Sequence, residues 1–339
     1  MKKVELVCLL VILLTISFRY TERLWKTPAH WPEPVYNFKK NPLDSATVQL
    51  GRVLFYDPVL SSDSSVSCAS CHSPYNAFTH ADHALSHGIK DRIGTRNSPV
   101  LVNLAWGKTF MWDGAVNHLD MQALAPLENH LEMDETLPNV LQKIRKQEKY
   151  RQLFKNAFHS ETITGERFLK AISQFMLTLV SSDSKYDRVM RGEAGVQFTD
   201  SENKGYALFK QHCASCHSEP LFTNQTFQNN GLAPDSTLQD IGRMKITQKS
   251  ADSLKFKVPT LRNIERSAPY MHDGRYRNLQ MVLFHYSSAI HSSPTLASQL
   301  KNGINLMEED KRNIIAFLKT LTDYTFLNNK QFQYPRTIQ

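Results

Sequence analysis

At 339 residues the chain has room for two domains of about 150 residues each, and an apolar content of 41% excludes a disordered polymer. The net charge of +8 comes from Lys and Arg scattered along the chain. That excludes the clustered basic footprint of a nucleic-acid binder and leaves a basic face able to steer an acidic protein partner.

Lys2 and Lys3 precede an uncharged apolar run, Leu6–Phe18. It is shorter than the about 20 residues that a spanning helix needs and suits a secretory signal over residues 1–20. Thr15 and Ser17 make a poor cleavage site, so an uncleaved membrane anchor stays open. Either way the remainder is exported. Cys8 lies inside this run as a passenger.

The string CASCHS follows at Cys68–Ser73 and recurs unchanged at Cys213–Ser218. Disulfides suit an exported chain, but two residues between cysteines favour local redox pairs over structural staples. A four-cysteine zinc site is conceivable and leaves the following His unexplained both times. Cys-x-x-Cys-His is the attachment signature of c-type haem: two thioether bonds and an adjacent proximal His. Two covalent haems are therefore expected, on Cys68 and Cys71 and on Cys213 and Cys216, with His72 and His217 as proximal ligands.

The repeat extends beyond these strings. Gly51-x-x-Leu54-Phe55 matches Gly205-x-x-Leu208-Phe209, and Pro99-x-Leu-x-Asn103 matches Pro259-x-Leu-x-Asn263. Met111-Trp-Asp-Gly114 matches Met271-His-Asp-Gly274, and Leu119 and Leu279 keep the same offset. Thr199-x-x-Glu202 reads as a capping box. Phe168, Ile172, Phe175, Met176 and Leu179, and again Ile314, Phe317, Leu318 and Leu321, fall at helical spacing. Alternating strand patterns are nearly absent. The expectation is a mainly α chain with two cytochrome-c-like haem domains related by internal duplication, over residues 41–195 and 196–325, joined near Gly192 and Gly195.

The segments LFYDPVLSSDSSVSCASCH, GTRNSPVLVN, FMWDG, LEM and PTLRNIERSAPYMHDGRY resemble the bacterial di-haem cytochrome c peroxidase family, which includes MauG-like enzymes. The resemblance runs from about Gly51 to Asp323. It implies a periplasmic enzyme with a peroxidatic N-terminal haem and an electron-transfer C-terminal haem. By the same resemblance Glu132 is the distal acid/base, Gln122 its pocket companion and Trp112 a relay between the haems. Asn97, Ser267 and Pro269 correspond to ligands of one interdomain Ca²⁺, Asn97 through its side chain and the others through backbone carbonyls. His87, from the polar loop His80–Gly94, corresponds to a residue that blocks the peroxidatic iron in some relatives. Family peroxidases carry Met as sixth ligand of the C-terminal haem. Gapless counting from SAPYMHDG places Tyr286 there instead, as in MauG-like enzymes, with Met271 and Met281 as alternatives.

The leading expectation is reduction of hydrogen peroxide to water with electrons from a small soluble donor protein, such as a cytochrome c. A MauG-like oxidase acting on a protein or other substrate through high-valent haems is the rival. A plain di-haem electron carrier is the third reading, and a homodimer is left open.

Overall fold

The computed structural model describes residues 24–335. The apolar run Leu6–Phe18 and Cys8 lie outside the described residues. Among the described residues no helix is long and apolar enough to cross a membrane.

The longer helices are α1 (Ser45–Tyr56), α2 (Leu137–Arg145), α3 (Glu148–Phe158), α4 (Gly165–Leu177), α5 (Lys185–Met190), α6 (Asp200–His212), α7 (Leu279–Ser288) and α8 (Glu308–Lys319). The described sheet is one antiparallel pair, β1 (Phe227–Gln228) with β2 (Phe256–Lys257). The chain is mainly α. Asp44 caps α1 by accepting from the Thr47 amide at 2.9 Å, and Thr199 and Glu202 cap α6 reciprocally, as the S/T-x-x-E pattern requires.

Apolar residues collect in two clusters. One holds α1 and α4 with Phe55, Phe78, Phe168 and Phe175. The other holds α6 and α8 with Phe209, Phe222, Phe317 and Leu321. The same device builds both. A Cβ on Gly51 would stand 1.8 Å from the Ala171 carbonyl, and one on Gly205 would stand 1.9 Å from that of Asn313. Glycine is what lets α1 lie against α4 and α6 against α8 backbone to backbone.

The repeated Asn has an equally physical reason. Asn103 and Asn263 both sit in the left-handed region, at φ 57° and 60°. Their amides donate to the Leu179 and Leu321 carbonyls at 2.9 and 3.0 Å, just past the ends of α4 and α8. Asn103 Nδ2 donates to the Ser181 carbonyl and Asn263 Nδ2 to Ser181 Oγ, at 3.1 and 3.0 Å. Ser181 Oγ donates to buried Asp323 at 3.1 Å. One buried polar knot thus ties the exits of both halves together.

The ends of the described chain cross between the clusters. Trp25, Trp31, Tyr36 and Phe38 pack on the first one, with the Trp106 indole donating to the Pro32 carbonyl at 2.7 Å. After Asp323 the chain returns to the first half, where Phe326 and Leu327 are buried and Arg52 Nε holds the Gln333 carbonyl at 2.7 Å. Trp31 also lies 4.5 Å under the Arg262 guanidinium of the second half.

Candidate functional site

Each CASCH string closes into the same local structure. Cys68–Cys71 is a single helical turn whose carbonyl at Cys68 accepts from the His72 amide at 3.0 Å; the Cys213 carbonyl accepts from His217 at 2.9 Å. His72 Nδ1 then donates to the Phe78 carbonyl at 2.8 Å, and His217 Nδ1 to the Phe222 carbonyl at 3.1 Å. A carbonyl can only accept, so Nδ1 carries the proton and the Nε2 lone pair is left for a metal. This is how haem-ligating histidines are oriented. Burial pushes the His72 imidazole down to about 4, and His217 also downward, which keeps both rings neutral. Burial pushes the Cys68 and Cys213 thiols up to about 12, and none of the four cysteines is in a disulfide. The donor set fits two covalently attached haems, each with a preset proximal nitrogen.

A cavity of about 320 Å³ opens beside the second string. His217, Cys213 and Cys216 line it together with Tyr286 and Met271, and its far wall carries Trp112 and Gln122. Burial pushes the Tyr286 phenol up to about 12, with the Asn230 side chain opposing. Asn230 Nδ2 also donates to Met271 Sδ at 3.4 Å. Met281 differs from the other sixth-ligand candidates: it is 40% exposed and does not line the cavity, whereas Leu283, two residues further along α7, does. Asn230 was not foreseen from sequence, because no local pattern marks a residue whose role is set by α7 folding over it.

Around the first string the polar loop lies against the Glu132 segment. The Ile89 amide donates to the Glu132 carbonyl at 2.8 Å, and a Cβ on Gly88 would collide with the backbone of Leu131 and Glu132. The His87 carbonyl accepts from Cys71 Sγ at 3.4 Å, and its ring lies 4.1 Å from that of His83. Glu132 is close enough to act electrostatically on both Cys68 and Cys71. Burial raises its carboxyl above the usual range, and the Asn129 amide, donating to Oε1 at 2.7 Å, opposes this. Gln122 Nε2 approaches Met111 Sδ at 3.8 Å on the cavity side.

The seam between the halves is polar and ordered. Trp112 Nε1 donates to the Asn97 carbonyl and the Asn97 amide to the His272 carbonyl, both at 2.7 Å. Arg96 binds Asp240 through two nitrogens at 2.6 and 2.8 Å and Asp113 at 2.6 Å. Asn97, Ser267 and Pro269 line one cavity. Asn97 Nδ2 is engaged by the Ala84 carbonyl at 2.9 Å, which leaves Oδ1 for a cation. Among the described residues no three or more His, Cys, Asp or Glu side chains gather as a metal site; the cation candidates are neutral oxygens, a set suited to Ca²⁺.

The di-haem cytochrome c peroxidase family model matches residues 45–195, and the cytochrome c model matches residues 202–322. The methylamine utilization protein MauG of Methylorubrum extorquens is 37% identical over 301 residues, covering 86% of this chain and 82% of that protein. The cytochrome c551 peroxidase of Nitrosomonas europaea is 36% identical over 294 residues, covering 86% and 84%. Among solved structures, a MauG-like protein associated with microbial copper homeostasis superposes with a TM-score of 0.78 at 33% identity, covering 92% of this chain and 99% of that one. With paired haem-attachment turns, a helical frame and relatives matched nearly end to end, the chain belongs to the di-haem cytochrome c peroxidase family, MauG included.

Proposed function

We propose that the protein is a periplasmic di-haem peroxidase that reduces hydrogen peroxide to water with electrons from a small cytochrome-like donor. The observation that carries this reading is Glu132. It is a half-buried carboxyl beside the first haem-attachment turn, desolvated enough to be raised above its ordinary range, and an electron carrier has no use for one.

Held by Cys68, Cys71 and His72 and by Cys213, Cys216 and His217, the two haems would supply redox-active iron for the reduction of peroxide. Oε1 of Glu132 is held by Asn129, which leaves Oε2 to take the proton from one peroxide oxygen and return it to the departing one. A positioned carboxylate can do both in sequence. In total one peroxide, two electrons and two protons give two waters. Gln122 lines the cavity together with Trp112; Gln122 is the proposed pocket companion of Glu132, and Trp112 the proposed relay. Asn97 Oδ1 with the Ser267 and Pro269 carbonyls is the proposed Ca²⁺ site, and it would hold the halves in register around that relay. His87, in the polar loop packed against the Glu132 segment, is the proposed resting-state occupant of the first iron.

One observation favours a second reading. Tyr286 lines the cavity of the second haem-attachment turn, and a phenolate there stabilises oxidised iron. This supports a MauG-like oxidase, in which both haems share oxidising equivalents against a protein or other substrate.

The deciding experiment is peroxide turnover by the haem-loaded protein with reduced cytochrome c in excess. Two donor molecules oxidised per peroxide support the peroxidase. Peroxide consumed with the donor left reduced supports the oxidase. Both haems attached with no peroxide consumed would sink both readings.

A further inference from the structure

The repeat that aligns Pro99 with Pro259 and Met111 with Met271 also aligns Asn97 with Lys257, Gly107 with Ser267, and Thr109 with Pro269. The backbone obeys this pairing. The Asn97 amide donates to the His272 carbonyl at 2.7 Å, and the Lys257 amide donates to the Trp112 carbonyl at 2.7 Å. His272 and Trp112 are themselves equivalent positions. The seam therefore holds two equivalent niches, one on each side of Trp112 and His272.

Their chemistry is opposite. Asn97, Ser267 and Pro269 offer oxygens to the first niche and no cation. In the second niche the side chain is itself a cation: Lys257 Nζ donates to the carbonyl of Thr109, the equivalent of Pro269. Its ammonium lies 5.6 Å from the centre of the Phe110 ring, and among the described residues no carboxylate pairs with it. Burial without a counter-charge holds this ammonium down to about 8. The side chain lines the cavity that contains Cys213, Cys216 and His217.

We infer that Lys257 is a built-in cation, filling in the second niche the place that a bound metal cation takes in the first, with its charge set against the haem carried by Cys213 and Cys216. That haem brings two propionate carboxylates, the class of group a buried unpaired ammonium lacks. Lys257 thereby clamps the Thr109–Trp112 segment to β2 without an ion from solution, and a fixed positive charge favours the reduced form of the adjacent haem. The inference rests on haem attachment and is independent of whether the enzyme is a peroxidase or an oxidase.

The test uses haem-loaded, chelator-stripped protein and two measurements made without peroxide: the reduction equilibrium of each haem, and calcium uptake by calorimetry. Lys257→Met should shift the reduction equilibrium of the C-terminal haem toward the oxidised form by about tenfold or more, while Lys257→Arg should stay near the parent. Lys257→Asn recreates the Asn97 chemistry in the second niche. It should behave like the Met variant without calcium, then return toward the parent on calcium addition while binding one ion more than the parent. A Met variant with the parent's equilibrium, or a shift confined to the N-terminal haem, overturns the inference. So does an Asn variant that takes up no extra calcium. A parent that binds no calcium removes the first niche's ion while the Lys257 comparison stands. If the Met variant fails to attach haem, the Asn variant with and without calcium makes the same comparison.

Discussion

Trp112 Nε1 donates to the backbone carbonyl of Asn97 over 2.7 Å, and the Asn97 amide in turn holds the His272 carbonyl of the other half over the same distance. The indole is thereby fixed at the seam by the residue whose side-chain oxygen faces the proposed calcium site. Trp112→Phe removes the N–H and leaves the buried Asn97 carbonyl unpaired, at a cost of about 1–3 kcal/mol. Both haems should remain attached. Stopped-flow spectra should show electron passage between the haems slowed by at least an order of magnitude if the indole is the relay. An unchanged rate with a lowered Tm would reduce Trp112 to a structural tether.

Glu132→Gln keeps the hydrogen-bonding shape and removes the titratable oxygen. Haem content should be unchanged and peroxide turnover should fall by about 10²–10⁴-fold, the usual worth of a positioned acid/base. Burial raises the Glu132 carboxyl above its ordinary range, so the base form is lost as pH falls through that raised value, earlier than for an exposed glutamate. Turnover by the parent should show that acidic limb and the Gln variant's residual activity should not. A variant retaining both the rate and the limb would show that Glu132 takes no part in the proton transfer.

Arg262 is fully buried, and its two terminal nitrogens hold Asp187 at 2.8 and 2.7 Å while Nε holds the Pro220 carbonyl at 2.9 Å. Arg262→Met strands the Asp187 carboxylate and should cost about 3–5 kcal/mol. Burial raises the Asp187 carboxyl, but the Arg262 and Ser184 hydrogen bonds outweigh it and leave it below the usual range. Its contribution is therefore present above the ordinary aspartate value and is lost as pH falls through the lower folded one. The stability gap between parent and variant should narrow in acid; urea melts at pH 7 and below pH 4 check this. An equal gap at both pH values would show that the loss is packing against Trp31 instead.

The haem-attachment turns were legible in the sequence because everything they need is local: two thiols, an adjacent imidazole and a carbonyl five or six residues on to fix it. The repeat was legible because Pro-x-Leu-x-Asn and Met-x-Asp-Gly return at one offset, yet their reason was not. Asn103 and Asn263 earn their place by clamping residues beyond α4 and α8, a long-range relation with no signature at the Asn itself. Lys257 was invisible for the same reason, as a lysine within an ordinary polar stretch until the fold sets it opposite Thr109. Gapless counting nominated Tyr286, with Met271 and Met281 as nearby alternatives; Tyr286 and Met271 line the cavity, while Met281 is exposed on α7. The return of Phe326 and Leu327 to the first core depends on chain reversal after Asp323, which composition does not encode.

If Tyr286 ligates the second iron, it sets what kind of oxidant that haem becomes. Its ring shares one cavity with His217, Cys213 and Cys216, while Met271 lines the same wall with its sulfur tied to Asn230 Nδ2 at 3.4 Å. A phenolate on iron stabilises oxidised states, and a neutral thioether stabilises the reduced one. With Tyr286 as ligand the C-terminal haem takes electrons poorly from an ordinary cytochrome and shares oxidising equivalents readily across Trp112; with Met271 it serves as an electron store. Tyr286→Phe should therefore convert the C-terminal haem from low to high spin and move its reduction equilibrium toward the reduced form. Donor-dependent peroxide turnover should rise relative to substrate oxidation. Met271→Leu is the control: a ferric spectrum altered by that change, with Tyr286→Phe leaving it unaltered, assigns the iron to Met271. If Tyr286→Phe leaves the ferric spectrum and the equilibrium at their parent values, the phenol is packing at the haem edge, and the electron-store reading, with its cytochrome donor, holds.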